Sequence, residues 1–396
     1  MKEINGGKEF MDKKVIQKSD WQASFNLIGK PIINDFTFKI DEHSEKSNWV
    51  YNALNLGIDC GESAGTVYCE AMGGYGEDRE NKIFAHGKDD NGNDDFSKPI
   101  IVDWEDRFDE EVLEEIGDLS FITIGIEKTD KGSTYYKKFL SEYDAIAYLR
   151  EHLTDDMVVN VKGRLTYSTY NDVTQVRKSI TSIALSKADD PSKYKATFTQ
   201  SILIDKDSAS LKDIDKDKGV MYVNTRVLDY VKEINGVEIR GQYPYNKQFE
   251  FEFPNLIDDI QCKNIYDKLF KVKKGVTQLT MEGVFIESGA VITATLDDLP
   301  DDIRDLVDMG VYTEEEACAK CTANGNRERR MVLKKPSVKL VGDDKVPVLQ
   351  KFEEKYTEED LYIDLGKSDD DVPFEVDDNT ATSSSDVGDL DWLNAL

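Results

Sequence analysis

Histidine is scarce in this sequence, with only His43, His86 and His152 among 396 residues. They lie far apart, and no Cys or Glu stands near them at the spacing of metal ligands. Catalysis by histidine and metal binding are therefore not predicted. A glycine-rich phosphate loop and a nucleophile elbow are also missing, and no catalytic carboxylate pair stands out among the 79 acidic residues. We expect a protein that is not an enzyme and that needs neither a metal nor a cofactor.

Cysteine is also limited, and the five residues cannot all pair within one monomer. Cys318 and Cys321 form a CxxC pair, but the other three cysteines do not supply a second pair at a zinc-binding spacing. The pattern favours two reduced thiols on a helix. This use of cysteine predicts a reducing cellular compartment.

Long hydrophobic runs are missing as well. No apolar stretch approaches the ~18 residues that a membrane helix needs. The segment Met1–Phe10 is polar and lacks the apolar core of a secretory signal. We expect a soluble, cytoplasmic protein with no membrane partner.

Negative charge is abundant but unevenly placed: 79 Asp and Glu stand against 50 Lys and Arg. Residues 353–396 contain 15 acidic and 2 basic residues, and residues 77–118 contain 16 and 5. The first stretch is rich in Asp, Ser and Thr and has no apolar periodicity, which predicts a disordered acidic tail. The second is rich in turn residues and is interpreted as a long surface insertion. Outside these two stretches the net charge is small.

Most remaining segments have the composition and length of strands, and two have helical spacing. The predicted helices are 143–153 and 265–272. Each is followed by a strand with a central glycine, at Gly163 and at Gly283, and the flanking apolar positions coincide. The sequence therefore contains an internal repeat.

The order within each repeat is strands, helix, a strand with a central glycine and a final strand. This is the order of a five-stranded OB barrel. The fold prediction is mainly β (α+β), with two tandem OB-fold barrels, insertions and a disordered acidic C-terminal tail. The predicted divisions are an arm at 1–20, a first barrel at 21–190 with an insertion at 77–118, a second barrel at 191–345 with a helical insertion at 297–325, and the tail at 346–396.

Alternation along the strands predicts which side chains face outward. Val50, Leu54, Leu56 and Ile58 share one face of the first barrel, which places Trp49 and Tyr51 on the other. In the second barrel the same reasoning places Tyr222, Arg226 and Tyr230 outside. Outward aromatics beside cations are typical of surfaces that bind single-stranded nucleic acid, because every base can stack. The alternative is that these rings pack against another part of the protein.

Cations are concentrated in one strand pair of the first barrel. The predicted DNA-contacting residues there are Lys162, Arg164, Arg177 and Lys178, together with Tyr167 and Tyr170 at the hairpin tip. Such local excess in an acidic chain indicates basic faces kept apart from acidic arms. A merely solvated strand face is the alternative.

The block from Val158 to Leu165, followed by a hairpin and a second basic strand, resembles the fourth and fifth strands of bacterial and phage single-stranded DNA-binding proteins. The tail resembles theirs too, since their acidic segment ends in a few apolar residues that dock onto replication and repair proteins. The resemblance implies a phage or prophage origin, in a host cytoplasm, and a two-barrel version of the family. It also implies a partner-binding tail whose residues are Asp369, Asp370, Asp371, Pro373, Phe374, Asp389, Asp391, Trp392, Leu393 and Leu396.

The function predicted on these grounds is non-catalytic. The protein would coat single-stranded DNA during replication or recombination and would recruit replication and recombination proteins through its tail. The alternative is an acidic protein-interaction module, such as a DNA mimic or a phage adaptor, that does not bind DNA. The oligomeric state is left open, because two barrels in one chain can replace two subunits.

Overall fold

The computed structural model describes residues 21–363 except 46, 171–172, 189, 217, 235–236, 255–257, 289–290, 293–298, 300, 310, 314–316, 318–322, 325–327 and 343. The predicted arm 1–20, the pair Cys318 and Cys321, and residues 364–396 lie outside the described residues. The fold is mainly β, as predicted.

The first half of the chain forms a barrel that carries additional strands. Its elements are β1 (Ala23–Ile32), β2 (Phe38–His43), β3 (Trp49–Asp59), β4 (Thr66–Gly76), β5 (Lys82–Lys88), β6 (Asp94–Asp103), α1 (Glu110–Glu115), β7 (Ile122–Lys128), β8 (Thr134–Phe139), α2 (Glu142–His152), β9 (Val159–Tyr170) and β10 (Val173–Leu185).

Five of these strands close into a ring in the order β1-β3-β4-β10-β9-β1. Only the β4 and β10 pair is parallel, and α2 precedes β9. This is the strand order of an OB fold. Period-two alternation builds the ring: in β9, Val159, Val161 and Leu165 are buried, whereas Lys162 and Arg164 are exposed.

The acidic insertion is folded and longer than predicted. Between β4 and α2 the chain forms the β5–β6 hairpin, α1 and the β7–β8 hairpin. The insertion has its own small core of Val102, Ile116, Phe121 and Leu140. Strand β7 pairs in parallel with β10 and so extends the main sheet. The predicted end at residue 118 was therefore too early, because the following apolar strands join the insertion rather than the barrel.

The second half repeats this plan. Its elements are β11 (Lys195–Ile204), β12 (Ile214–Asp215), β13 (Val220–Ile234), β14 (Val237–Glu252), α3 (Asp259–Leu269), β15 (Thr277–Ser288), β16 (Val291–Ile292), α4 (Asp301–Asp308), β17 (Ala323–Asn324), β18 (Glu328–Pro336), β19 (Val338–Val341), β20 (Val346–Leu349) and β21 (Lys351–Phe352). The ring order is β11-β13-β14-β18-β15-β11, with β14 and β18 parallel.

The repeated glycines occupy equivalent places. Gly163 in β9 pairs with Phe25 of β1, and Gly283 in β15 pairs with Phe198 of β11. A Cβ on either glycine would overlap the aromatic ring of its partner and a backbone carbonyl oxygen of the neighbouring strand. Only glycine therefore lets the strands approach this closely at the barrel closure.

The two barrels share one sheet, because β1 and β11 are antiparallel neighbours from Ala23 opposite Gln200 to Ile28 opposite Lys195. The buried apolar side chains of both barrels form one continuous cluster. The geometry of the two barrels is thus fixed by strand pairing and a common core.

The predicted start of the tail at residue 346 was wrong. Strand β20 pairs with β19, β21 pairs with β15, and a short 3₁₀ turn spans Glu358–Leu361. Tyr356 and Leu361 are buried against the second barrel with Trp21 beside them. These apolar residues anchor a segment that its acidic composition alone had assigned to the tail. In the described part of the chain, no helix has the length and apolarity required to cross a bilayer.

Candidate nucleic-acid interface

A groove runs from the outer face of the first barrel to that of the second, across their junction. It consists of three adjoining cavities of about 220, 350 and 100 Å³. Glu70 and Arg177 line both the first and the second cavity. Lys247 and Arg329 are among the residues shared by the second and the third. The groove is therefore continuous.

The central cavity has an excess of positive side chains. Five cations and two acids line it: Arg177, Lys178, Lys247, Arg329 and Arg330, with Glu70 and Glu287. These residues come from strands of both barrels. The junction is therefore more basic than the chain as a whole.

An Arg–Glu ion pair occurs at the equivalent place in each barrel. Arg177 Nε lies 3.8 Å from Glu70 Oε1, and Arg330 Nε lies 3.0 Å from Glu250 Oε2. Each arginine stands three residues before the residue that pairs with the central glycine, which is Ile180 in one barrel and Leu333 in the other. The internal repeat thus extends to the charged residues of the groove. Burial raises the pKa of Glu70, and the charge of Arg177 opposes that rise.

Lys178 has a different role from the one predicted. Its Nζ donates to Glu287 Oε1 at 2.7 Å, and both side chains are nearly buried. The same Nζ lies 5.1 Å from the centre of the Phe285 ring. Lys178 belongs to the first barrel, whereas Glu287 and Phe285 belong to the second. The prediction of a DNA-contacting cation is therefore corrected: this charge is already neutralised and links the two barrels.

Lys247 and Arg329 are the cations of the central cavity that have no acidic partner within ion-pair distance among the described residues. Lys247 occupies a core-facing register in β14, between the buried Tyr245 and Phe249. Burial and the nearby charge of Lys178 hold the pKa of Lys247 below its ordinary value. An anion placed in the cavity would relieve both effects.

Aromatic rings line two of the three cavities. Tyr68 lines the central cavity and Tyr222 the small one. Trp49 and Tyr51 lie further along β3, half-buried, and stack on each other with ring centres 4.9 Å apart and planes 15° apart. Their outward orientation agrees with the parity predicted from the sequence.

The prediction for Tyr167 was wrong. Its ring is buried, its hydroxyl donates to Gln200 Oε1 at 2.8 Å, and it lies near Tyr245 of the second barrel. Its backbone N–H donates to the carboxylate of Asp229. Strand β9 continues past the barrel junction at this point. Tyr167, which was predicted to lie at the hairpin tip, therefore packs in the core.

The remaining predicted residues that the structure describes do not line the three cavities. Lys162 and Arg164 are exposed on β9, and Tyr170 and Tyr230 are exposed towards the ends of their strands. Arg226 is half-buried, with its guanidinium 5.3 Å from the ring centre of Tyr362. The ten predicted tail residues from Asp369 to Leu396 lie outside the described residues.

Sequence reasoning missed Lys247, Tyr68 and the specific place of Arg329. The signal for Lys247 was available, since a lysine in the core register of an aromatic strand must reach a cavity or a partner. Arg329 stands in the basic segment 327–339, which has six cations and one acid. Its contribution to a site at the junction depends on how the two barrels pair, and no local pattern encodes that.

A Ser–His–Asp arrangement lies in the acidic insertion. His86 Nε2 is 2.7 Å from Asp94 Oδ1, and Nδ1 is 2.8 Å from Ser120 Oγ. Ser120 Oγ also accepts from the backbone N–H of His86, and Asp94 accepts from that of Leu119. Because every member is used in joining the hairpin to the following turn, we interpret the arrangement as structural. The described residues contain no cluster of His, Cys, Asp and Glu that could hold a metal ion.

A family model described as YorF matches residues 121–273, which run from the insertion into the second barrel. No curated protein matches the sequence. Among solved structures, the chain is similar to a deletion mutant of the single-stranded DNA binding protein from Thermus aquaticus, at 9% identity and a TM-score of 0.30, covering 68% of this chain and 89% of that one. At that identity and score the likeness carries no argument about function.

Proposed function

We propose that this protein binds single-stranded DNA without catalysis, coats it during replication or recombination, and recruits other proteins through its acidic tail. The observation that carries the proposal is the continuous groove, whose central cavity contains Lys247 and Arg329 without an acidic partner among the described residues and whose lining includes the rings of Tyr68 and Tyr222. A single strand needs both, because its phosphates require positive charge and its bases stack on rings.

The groove suits a single strand better than a duplex. Its cations line cavities of a few hundred cubic ångströms, where a flexible backbone can bend towards them. A rigid duplex would present its phosphates to the exposed rim only. Lys162 and Arg164, which are exposed on β9, would add contacts that are screened by salt.

The tail would carry the partner contacts. Residues 364–396 follow Ile363 directly and are strongly acidic, with apolar anchors such as Phe374 and Trp392. We place the protein in a phage or prophage replication module and in the host cytoplasm, on the resemblance of its motifs. Partner proteins would need an apolar pocket with a basic rim.

The test is a titration of fluorescent oligo-dT by anisotropy at two salt concentrations, with a duplex of the same length as control. We expect binding that favours the single strand and weakens as salt rises, because counterions are released on binding. Equal affinity for the duplex, or no binding at low salt, would refute the proposal.

A protein-interaction module without DNA binding is the second candidate, and the β5–β6 hairpin favours it. Phe84 and Ile101 are paired across the hairpin and are 79% and 58% exposed, and Phe96 is 71% exposed. Exposed apolar clusters of this kind mark interaction surfaces. If the titration shows no DNA binding, this hairpin becomes the leading functional surface.

A further inference from the structure

We propose that the central cavity binds a backbone phosphodiester between Lys247 and Arg329, so that one nucleic-acid strand passes from one barrel to the other as a single site. The inference rests on the proposed function and specifies how the groove is used. The ligand class is a phosphodiester anion.

The cavity has the features of an anion site. Its volume of about 350 Å³ is large enough for a phosphate and part of its sugars, and it is open to solvent at the groove. Arg177, Lys178 and Arg330 have carboxylate partners, so their charges are largely compensated. Lys247 and Arg329 have no acidic partner within ion-pair distance among the described residues, although Glu287 lies opposite Arg329 in the sheet, and this leaves two cations for a ligand.

The charge of Lys247 lowers the stability of the folded state unless an anion binds beside it. Folding places its ammonium in a core-facing register near Lys178, and its pKa is lowered as a result. For a lysine, a lowered pKa means that the folded state disfavours the charged form. A lysine retained under this cost without any partner is better explained by a ligand than by packing.

The barrels cannot separate to bind independent segments. Strands β1 and β11 pair over six residues each, and the Lys178–Glu287 ion pair lies at the edge of the cavity itself. The distance between the two binding faces is therefore fixed. A strand that occupies both faces must cross the cavity, where its phosphate meets the two free cations.

The experiment measures the salt dependence of oligo-dT binding for the full chain and three variants. Lys247→Met and Arg329→Gln remove the proposed contacts, and Lys216→Met is the control, because Lys216 is 71% exposed, pairs with Asp259 and does not line the groove. Thermal unfolding of each variant checks the fold. Since charge on Lys247 is unfavourable to the folded state, Lys247→Met should be no less stable than the parent.

Log K falls as log salt rises, and for single strands each lost phosphate contact makes this negative slope shallower by about 0.7. We expect that reduction for Lys247→Met and for Arg329→Gln, and none for Lys216→Met. We also expect one long oligonucleotide to bind per chain, and one of single-barrel length, about 8 nucleotides, to bind much more weakly.

Unchanged slopes in both cavity variants, or two long oligonucleotides bound per chain, would overturn the inference while leaving single-stranded DNA binding intact. Absence of binding by the parent protein would instead refute the proposed function. The two failures are therefore distinguishable.

Discussion

Phe25 of β1 and Phe198 of β11 lie directly opposite each other on neighbouring antiparallel strands of the sheet that joins the two barrels. Each is also the partner of the central glycine of its own barrel, Gly163 or Gly283. Equivalent residues of the two repeats thus meet at one point. Both rings are buried, and the common core is built around them.

Adding a methyl group at either glycine should destabilise the protein. In Gly163→Ala and Gly283→Ala the new Cβ would overlap a phenylalanine ring and a carbonyl oxygen, and overpacking of this kind costs about 1–3 kcal/mol. Chemical denaturation measures the loss. Gly241→Ala is the matched control in a strand, because the nearest atom to its Cβ would be 3.6 Å away. Equal stability of all three variants would contradict the proposed close approach.

Removing the stacked rings of β3 should weaken binding to single-stranded DNA without unfolding the protein. Stacking is worth ~1–3 kcal/mol per base, so Trp49→Ala with Tyr51→Ala should lower affinity roughly tenfold or more. Tyr222→Ala with Tyr230→Ala tests the second barrel in the same way. The control is Tyr135→Ala with Tyr136→Ala, two rings about half exposed on β8 of the insertion. An unchanged affinity in the β3 variant, with the fold intact, would remove these rings from the interface.

Affinity for single-stranded DNA should begin to fall at a pH below the ordinary pKa of a lysine. The pKa of free Lys247 is lowered by burial and by Lys178, and a bound phosphate would raise it again. Binding therefore takes up a proton once the pH exceeds the lowered pKa, and affinity falls as the pH rises through that region. Lys247→Arg keeps the charge to high pH and should abolish the decline. Parallel pH profiles for parent and variant would contradict this reading.

The Lys178–Glu287 ion pair should affect stability and binding in opposite directions. Glu287→Gln leaves a nearly buried lysine without its partner, and breaking such a pair costs about 3–5 kcal/mol when it is fully buried. The same change adds one positive charge at the central cavity. We therefore expect a lower unfolding midpoint together with equal or tighter DNA binding per folded molecule. Weaker binding by the folded variant would place Glu287 in the binding site itself.

Deleting residues 369–396 should preserve or raise affinity for single-stranded DNA, with the gain shrinking at high salt. Residues 369–396 are strongly acidic by composition and are tethered to the folded protein, so they would compete with DNA for its cations. The deletion should also abolish recovery of replication or recombination proteins in a pull-down. Trp392→Ala should lose most of that recovery and leave DNA affinity nearly unchanged. Loss of DNA binding on deletion would make the tail part of the DNA site.

The sequence predicted the barrels well because local patterns specify them. Alternation in β9, and the helix-strand-glycine order repeated at Gly163 and Gly283, was enough to predict two OB folds. Tyr167 and Lys178 were misassigned for one physical reason: both lie where the barrels meet. Contacts with a second barrel bury residues that would be exposed on an isolated one. The segment from Val346 to Leu361 was missed because a few apolar anchors outweighed its acidic composition.

The antiparallel pairing of β1 with β11 joins equivalent strands, which is the arrangement of two subunits across a twofold axis. Here a covalent chain supplies both partners, so the assembly does not dissociate on dilution. Because the two halves are separate parts of one chain, they can also differ in sequence and structure. One carries the acidic hairpin insertion and the other carries α4, at different points of the same plan. A symmetric dimer would carry each addition twice. In this chain each addition occurs once, so the two barrels present different surfaces to a neighbouring molecule.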